Sequence, residues 1–340
     1  MKEIRVGIIG LGRMGRIHAR NIAENVPSAT LYAACHYNEE ELERARKDLG
    51  VKETFKNYED MISSPNIDAV VIVSPSSLHT KHIRLAMEKG LHVFCEKPIG
   101  LDVEDIKQTI EVINAHPNQA FQLGFMRRYD ESYQYAKKMV DEGAIGELTL
   151  IRCYGIDPGS ELESFVKFAA DGKSGGLFAD LSIHDIDLVR WISGMEVKHV
   201  WAIGKNAAYP VLDDLGELET GAAMMQLEDK TMALLVSGRN AAHGYHVETE
   251  LIGTKGMLRV AQEPEKNLVT VFNEQGVTRP TFQTFPERFR EAFLREMREF
   301  ILCIKAGREP EVTAYDGLQS TIVAEACQKS IDTEQLINLN

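Results

Sequence analysis

The stretch IRVGIIGLGRMGRIHA, residues 4–19, decides the fold class of this chain. An apolar run typical of a β-strand leads into Gly10, Gly12 and Gly15, and a helical pattern follows. In this GxGxxG arrangement the glycines permit a tight turn, a close approach of backbone to a pyrophosphate, and close helix packing, while the helix N-terminus favours negative charge. We predict a dinucleotide site made by these glycines with Arg13 and Met14; a purely structural glycine turn is the alternative.

The residues that follow alternate short strands with amphipathic helices. Strand-like runs lie at 4–10, 30–35, 68–74, 92–96 and 120–125. Continuous apolar runs such as AVVIV are typical of strands covered on both faces in a parallel sheet. We therefore predict that residues 1–123 form an α/β dinucleotide-binding domain with a doubly wound parallel sheet of the Rossmann type.

The pattern changes after residue 123. A helical stretch at about 130–142 leads to a strand, and three strand pairs joined by short turns follow in MMQLEDKTMALLVS, ETELIGTKGMLRVA and LVTVFNEQGV. Such pairs are hairpins, which indicate a large, mostly antiparallel sheet. Residues 124–340 are therefore predicted to be an α+β domain for substrate binding and oligomerisation, and its last helices, at about 286–305 and 316–330, are expected to pack back on the first domain.

Composition excludes several classes of function. The formal charge is -13 and no basic block is present, which argues against nucleic acid and anionic membranes as partners. No apolar run reaches the roughly 18 residues of a membrane span, and the first strand begins too early for a signal peptide, so we expect a cytoplasmic protein. Five scattered cysteines without CxxC spacing support neither a disulfide framework nor a structural zinc site.

The end of the second strand departs from the usual NAD pattern. An Asp or Glu normally binds the ribose 2′-hydroxyl there, but this chain has His36, followed by Tyr37 and Asn38. NADP sites usually offer a base, and the three consecutive glutamates 39–41 disfavour a 2′-phosphate. We predict NAD as cofactor, with His36 or Asn38 at the hydroxyl, and leave NADP open. The glutamates also suit the first turn of the next helix.

Two segments follow strands whose carboxyl ends meet at one edge of the sheet, where ligands bind in such folds. SPSSLH places Ser74, Ser76 and His79 near the predicted cofactor, and EKP places Glu96 and Lys97 there. A lysine in this position can neutralise a substrate oxygen. The alternative is a solvated lysine beside a turn proline.

The segment GLFADLSIHDIDLVRW, residues 176–191, carries charges on an otherwise apolar helical pattern. Asp180, His184 and Asp187 fall on one stripe at helical spacing. On a buried helix such a stripe is paired, binds a metal or faces a cavity. We expect no metal, because three ligands from one helix stripe rarely converge on one ion. The spacing fits both a structural Asp–His pair and a catalytic pair.

Together these motifs resemble the Gfo/Idh/MocA family of nicotinamide-dependent oxidoreductases. The glycine loop, SPSSLH, CEKP, GFMRRYD (124–130) and GGLFADLSIHDID occur in the family's order and spacing over essentially the whole chain. Within the family, GFMRRYD is particularly similar to the inositol 2-dehydrogenases. CYGIDP, SGGLFADLSIHDIDLVRW and NAAHGYHVE look closest to the branch that acts on myo- or scyllo-inositol.

The resemblance implies a site. Lys97, Asp180 and His184 match the family's catalytic set, and Arg127, Asp157 and Tyr245 match residues around the substrate. One position departs from the pattern, because inositol dehydrogenases often have a histidine where this chain has Gly155. The second-strand acid of the family is also absent, which weakens the NAD prediction and leaves the catalytic prediction unchanged.

The implied reaction is oxidation of a secondary hydroxyl of a small polyol. It requires a base for the hydroxyl proton while hydride leaves for the nicotinamide. Histidine suits this task, because its ordinary pKa of about 6.5 lies near neutral pH. We predict His184 as the acid–base group, Asp180 as its orienting partner or a ligand of a neighbouring hydroxyl, and Lys97 as the stabiliser of the alkoxide. Asp185 and Asp187 are expected to form ion pairs or to cap a helix.

Two other functions are weaker. A related dehydrogenase of an aldose or sugar acid is possible, but Asp157 and Asp180 would repel a substrate carboxylate. A catalytically silent nicotinamide-binding regulator should lack the base or the lysine, and both are present. By analogy with the family, we expect a homo-oligomer, namely a tetramer.

Overall fold

The computed structural model describes residues 3–170 and 175–339. The chain forms two compact units, one comprising residues up to Tyr129 with Glu291–Leu318, and the other comprising Asp130–Arg290 with the residues from Gln319 on. Each unit therefore contains two separate segments of the sequence. The division into two domains at residue 123 stays a prediction. Among the described residues, no helix is both long and apolar enough to cross a membrane.

The first unit is a parallel six-stranded sheet with helices. Its strands are β1 Ile4–Ile9, β2 Ala29–Cys35, β3 Glu53–Phe55, β4 Ala69–Ile72, β5 His92–Glu96 and β6 Phe121–Gly124. Their order in the sheet is β3-β2-β1-β4-β5-β6, and every neighbouring pair is parallel. This confirms the predicted doubly wound sheet; the three-residue strand β3 was not predicted.

The helices of the first unit follow the strands. They are α1 Arg13–Asn25, α2 Glu39–Leu49, α3 Tyr58–Ile62, α4 His79–Glu88 and α5 Val103–Asn114. Strand β4 is wholly buried, as its unbroken apolar run predicted. A later helix, Arg290–Ala306, joins the same core through Met297, Phe300 and Ile301.

The second unit is built on a seven-stranded sheet. Its strands are β7 Leu148–Pro158, β8 Val197–Lys205, β9 Thr220–Leu227, β10 Met232–Ala241, β11 His246–Gly253, β12 Met257–Val260 and β15 Ile337–Asn338, in the order β12-β11-β7-β10-β9-β8-β15. Only β7 and β10 pair in parallel, so the predicted mostly antiparallel sheet is confirmed. The strands β13 Val271–Asn273 and β14 Gly276–Thr278 form the third predicted hairpin.

The helices of the second unit include the one predicted to carry the charged stripe. They are α6 Glu131–Asp141, α7 Leu162–Ala170, α8 Ile183–Ser193, α9 Val211–Asp214 and α10 Phe285–Arg288. The helix Arg290–Ala306 is then α11, and α12 spans Ala314–Thr333 and contributes residues to both units. Helix α8 is preceded by a π-helical turn, Phe178–Ser182.

Candidate active site

The glycine loop has the geometry that its sequence predicted. Gly10 adopts φ +91°, and a Cβ there would lie 2.2 Å from the Val73 carbonyl oxygen. A Cβ on Gly15 would lie 1.9 Å from the Gly10 carbonyl oxygen, whereas one on Gly12 would meet nothing within 4 Å. Gly12 begins α1 without a side-chain cap. The loop therefore packs closely at Gly10 and Gly15 and is open at Gly12, which suits a pyrophosphate at the helix N-terminus.

Alanine substitutions should separate these two roles. Gly15→Ala forces its Cβ into the Gly10 carbonyl, so we expect a loss of unfolding free energy of about 3 kcal/mol, measured by chemical denaturation. Gly12→Ala is the matched control, since its Cβ meets open space. It should keep the stability and weaken dinucleotide binding. Equal stability of the two variants would contradict this account.

His36 lies half-buried at the end of β2, where the acid was missing. Its Nδ1 accepts the Asn38 backbone N–H at 3.0 Å, and its ring stacks on Tyr37 at 4.4 Å between centroids. Nδ1 as acceptor leaves the proton on Nε2, so the ring offers a donor to a ribose hydroxyl. The Asn38 side chain caps α2 by accepting the Glu40 N–H. The Asn38 Nδ2 hydrogens also remain donors, so the choice between His36 and Asn38 at the ribose hydroxyl stays a prediction.

The segment after β4 is held by histidines. Both ring nitrogens of His79 lie near carbonyl oxygens, with Nδ1 2.7 Å from that of Pro98 and Nε2 2.8 Å from that of Ser74. His79 is buried, and burial lowers its pKa. We therefore assign His79 to holding Ser74 against the EKP segment. Ser74 and Ser76 stay half-buried, and Ser74 Oγ lies 2.9 Å from His82 Nδ1.

The EKP segment follows β5 and directs its two charged side chains differently. Lys97 is half-buried, whereas Glu96 is buried. Glu96 Oε1 lies 2.6 Å from His18 Nε2, and its Oε2 accepts the Lys97 backbone N–H at 3.2 Å. The Glu96 side chain is thus bonded within the first unit. Of the two charged side chains, that of Lys97 is the more exposed one at the carboxyl end of the sheet.

In the second unit, an arginine joins two of the predicted acids. Arg239 on β10 donates to Asp180 Oδ2 at 2.8 Å, and its Nη1 lies 3.7 Å from Asp157 Oδ2. The arginine side chain is only 4% exposed, whereas Asp157 and Asp180 are 26% and 29% exposed. Phe165 of α7 stacks under the guanidinium at 3.5 Å. The carboxylates therefore keep a fixed orientation and part of their surface.

His184 lies in the first turn of α8 and is 8% exposed. The π-helical turn holding Asp180 precedes it, so the continuous α-helix expected from the spacing is replaced by a wider turn at this point. Such turns are frequent at functional sites. Ser182 Oγ lies 2.7 Å from Ser237 Oγ of β10 and ties the turn to the sheet. Asp185 and Asp187 are buried on the same helix.

The two remaining substrate-site predictions fall on buried residues. Arg127 lies in the short helix Met126–Tyr129 of the first unit and is 1% exposed. Tyr245 lies in the second unit, is buried, and packs edge-on against Phe285 and Phe289. Their roles at a substrate remain predictions. Among the described residues, the one group with metal-binding spacing is His18, Glu96 and Glu296, so the Asp180, His184 and Asp187 stripe is not such a group.

Arg239 is the residue that sequence reasoning missed. Its partners lie on strand β7 and in the π-helical turn before α8, and its immediate sequence, SGRNA, contains no recognisable motif. Arg239 lies beyond the predicted strand segment, which ends at Ser237, whereas the observed strand β10 continues to Ala241.

Arg239→Met should remove the cation between the two acids. We expect kcat/KM to fall about 10- to 100-fold, because the two acids predicted to act at the substrate would lose their fixed positions. Stability should fall by about 1–3 kcal/mol. Arg279→Met is the control, since Arg279 pairs with Glu263 and Glu265 at the surface and should change little. Unchanged kinetics in Arg239→Met would contradict the proposed role of the pair.

Comparisons with known proteins agree with this architecture. Residues 4–125 match the oxidoreductase family with an NAD-binding Rossmann fold, GFO_IDH_MocA, and residues 133–259 match the GFO/IDH/MocA C-terminal domain. The structure of scyllo-inositol dehydrogenase from Lactobacillus casei with bound NAD(H) and scyllo-inositol is 59% identical, with a TM-score of 0.97 and 99% of each chain covered.

Two other proteins are similar over their whole length. The structure of myo-inositol 2-dehydrogenase from Lactobacillus plantarum is 48% identical, with a TM-score of 0.98 and 100% of each chain covered. Myo-inositol 2-dehydrogenase from Thermotoga maritima is 31% identical over 99% of this chain and 98% of its own.

The fold and the residues at the strand ends define a nicotinamide-dependent oxidoreductase with a dinucleotide-binding sheet and a separate mixed sheet. The chain belongs to the Gfo/Idh/MocA family, and its first unit carries the family's NAD-binding Rossmann fold. The resemblance read from the sequence is thereby confirmed, as is NAD as the cofactor.

Proposed function

We propose that this enzyme oxidises one secondary hydroxyl of myo- or scyllo-inositol to the keto-inositol. The observation that carries the substrate class is the Asp157–Arg239–Asp180 arrangement. Two fixed, partly exposed carboxylates accept hydrogen bonds from hydroxyls and disfavour an anionic substrate. The names of the similar enzymes, which act on inositols, support the same choice.

The bound nicotinamide supplies the hydride acceptor, and the chain supplies the proton chemistry. His184 takes the hydroxyl proton as general base. Asp180, fixed by Arg239, orients the imidazole or accepts a bond from an adjacent hydroxyl. Lys97 stabilises the negative charge that develops on the alkoxide oxygen. These three residues are our proposed catalytic set.

The remaining contacts are proposed as follows. Arg127, Asp157 and Tyr245 bind the polyol. The residues proposed to contact the cofactor are Gly10, Gly12, Arg13, Met14, Gly15, His36, Ser74, Ser76 and Lys97. His79 and Glu96 act on the cofactor through the loops that they hold.

A substrate panel tests the function. Purified enzyme with NAD should produce NADH with myo-inositol or scyllo-inositol, and turnover should be far lower with glucose or a sugar acid. The same panel with NADP should be slower. Activity on a sugar acid alone, or inactivity with every polyol, would contradict the proposal.

We also propose that the enzyme is a homo-oligomer, a tetramer by analogy with its family, and that it works in the cytoplasm. One face of the second sheet exposes large apolar side chains, Trp201, Ile203, Met224 and Met232. Trp201 and Met224 are direct cross-strand neighbours on β8 and β9. A contiguous apolar face of this kind is typical of a contact with a second copy of the chain.

Met224→Glu should disrupt this contact, because it places a charge in the middle of the apolar face. We expect the mass in solution, measured by light scattering, to fall by half or more. Leu302→Glu is the control, since Leu302 is 56% exposed on α11 in the other unit. A monomeric parent protein, or an unchanged mass in Met224→Glu, would contradict the assignment of this face.

A further inference from the structure

Three buried ionisable side chains meet in the first unit. His18 comes from α1, Glu96 from the end of β5, and Glu296 from α11. One nitrogen or oxygen of each lies within 4.8 Å of the others. The proposed reaction gives no role to His18 or Glu296.

Glu96 is the centre of this cluster. Its Oε1 lies 2.6 Å from His18 Nε2, and its Oε2 accepts the backbone N–H of Lys97. Gly124 on the neighbouring strand leaves room for the carboxylate, because a Cβ there would lie 3.1 Å from Oε2. The position of Glu96 therefore sets the position of the peptide that carries Lys97.

Glu296 faces this carboxylate without an ordinary partner. It is 0% exposed, and neither of its carboxyl oxygens has a hydrogen-bond partner among residues 3–170 and 175–339. The ionisable groups facing it are Glu96, His18 and the buried phenol of Tyr129. Burial and the Glu96 charge raise the pKa of Glu296 well above its ordinary value. A lone buried carboxylate next to another is strongly disfavoured, so Glu296 keeps its proton.

The geometry favours a proton over a metal ion. Ligand atoms bound to one ion at about 2.0–2.2 Å cannot be hydrogen-bonded to each other as well. The 2.6 Å separation of His18 Nε2 and Glu96 Oε1 is that of a charge-assisted hydrogen bond.

We propose that His18, Glu96 and Glu296 form a buried proton-holding site in which Glu296 is the neutral acid and Glu96 the anion. Glu296 thereby acts as a positioning residue for Lys97, because the hydroxyl of its neutral carboxyl group is a donor that faces Glu96, whereas a second carboxylate would repel Glu96 from the Lys97 amide. The part concerning Lys97 rests on the proposed function.

The proton on Glu296 makes the free energy of unfolding depend on pH. The folded chain keeps the Glu296 proton, whereas the unfolded chain releases it above its ordinary pKa of 4.5. Wild-type stability should therefore fall, relative to Glu296→Gln, as pH rises from about 5 to 8. Glu299→Gln, on the same helix but paired with Arg308, is the control and should show no such growing gap. A constant gap for Glu296→Gln would overturn the proposal.

Infrared spectroscopy and metal analysis test the site directly. Wild type at neutral pH should show the C=O band of a protonated carboxyl group, and Glu296→Gln should lack it. Absence of that band in wild type, or a stoichiometric metal in the purified enzyme, would overturn the proposal. These measurements do not depend on the substrate, so they still decide the matter if the proposed function fails.

The positioning role is tested by kinetics. Glu296→Gln keeps a neutral polar group and should retain wild-type kcat/KM. Glu296→Met has a similar length without a polar end, and its kcat/KM should fall about 10- to 100-fold at an unchanged KM for NAD. If Glu296→Met folds and keeps wild-type kinetics, the positioning role is wrong. If it does not fold, Glu296→Asp, which retracts the acid, should show the same loss.

Discussion

Replacing His184 with alanine is expected to lower kcat for polyol oxidation by about 10²–10⁴-fold, the usual worth of a positioned acid–base group. The imidazole lies in the first turn of α8, after the turn in which Arg239 holds Asp180. Without it, the hydroxyl proton has no acceptor of suitable basicity. Affinity for NAD should be unchanged, because His184 lies outside the dinucleotide-binding unit.

The measurement is steady-state NADH formation together with an NAD titration. His116→Ala is the matched control, because His116 lies just past the end of α5, where its Nδ1 is 2.8 Å from the Val112 carbonyl oxygen. His184→Asn, which keeps a polar group of similar size, should be as inactive as His184→Ala. Near-normal turnover in either His184 variant would show that another group is the base.

Lys97→Met is expected to lower kcat by about 10²–10³-fold through loss of electrostatic stabilisation of the alkoxide. Methionine preserves most of the aliphatic stem, and the backbone N–H of residue 97 can still donate to Glu96. The fold should therefore persist while the charge is lost. Circular dichroism and single-turnover kinetics would measure the two effects separately.

Lys107→Met provides the comparison, since Lys107 forms an exposed pair with Glu104 on α5. It should leave turnover and stability almost unchanged. If Lys97→Met raised only the KM for the polyol and left kcat intact, Lys97 would bind the ground state and transition state equally, and its proposed role would be wrong.

The sequence predicted those parts of the fold that depend on local pattern. Gly10, Gly12 and Gly15 stand between a strand and a helix, and continuous apolar runs such as β4 identify a sheet that is buried on both faces. The hairpins of the second unit were visible because short turns separate their strands. By contrast, β3 has only three residues, too few for a periodic signal.

The interactions that were missed join distant parts of the chain. Arg239 reaches Asp180 across 59 positions, and Glu296 reaches Glu96 only because α11 returns to the first unit. No local sequence motif marks either of these contacts. The π-helical turn before His184 could not be inferred either, because its residues have the spacing of an ordinary helix.

The histidine at the end of β2 has a consequence for protein engineering. An acid at this position would repel the 2′-phosphate of NADP directly. His36, whose Nδ1 accepts the Asn38 backbone N–H, does not repel that phosphate. The nearby Glu39 and Glu41 are already compensated by Lys56 and Arg16. Conversion to NADP use therefore requires a cation beside this ring, and no opposing charge has to be removed first. The exposed residue Tyr37 is the position at which to introduce that cation.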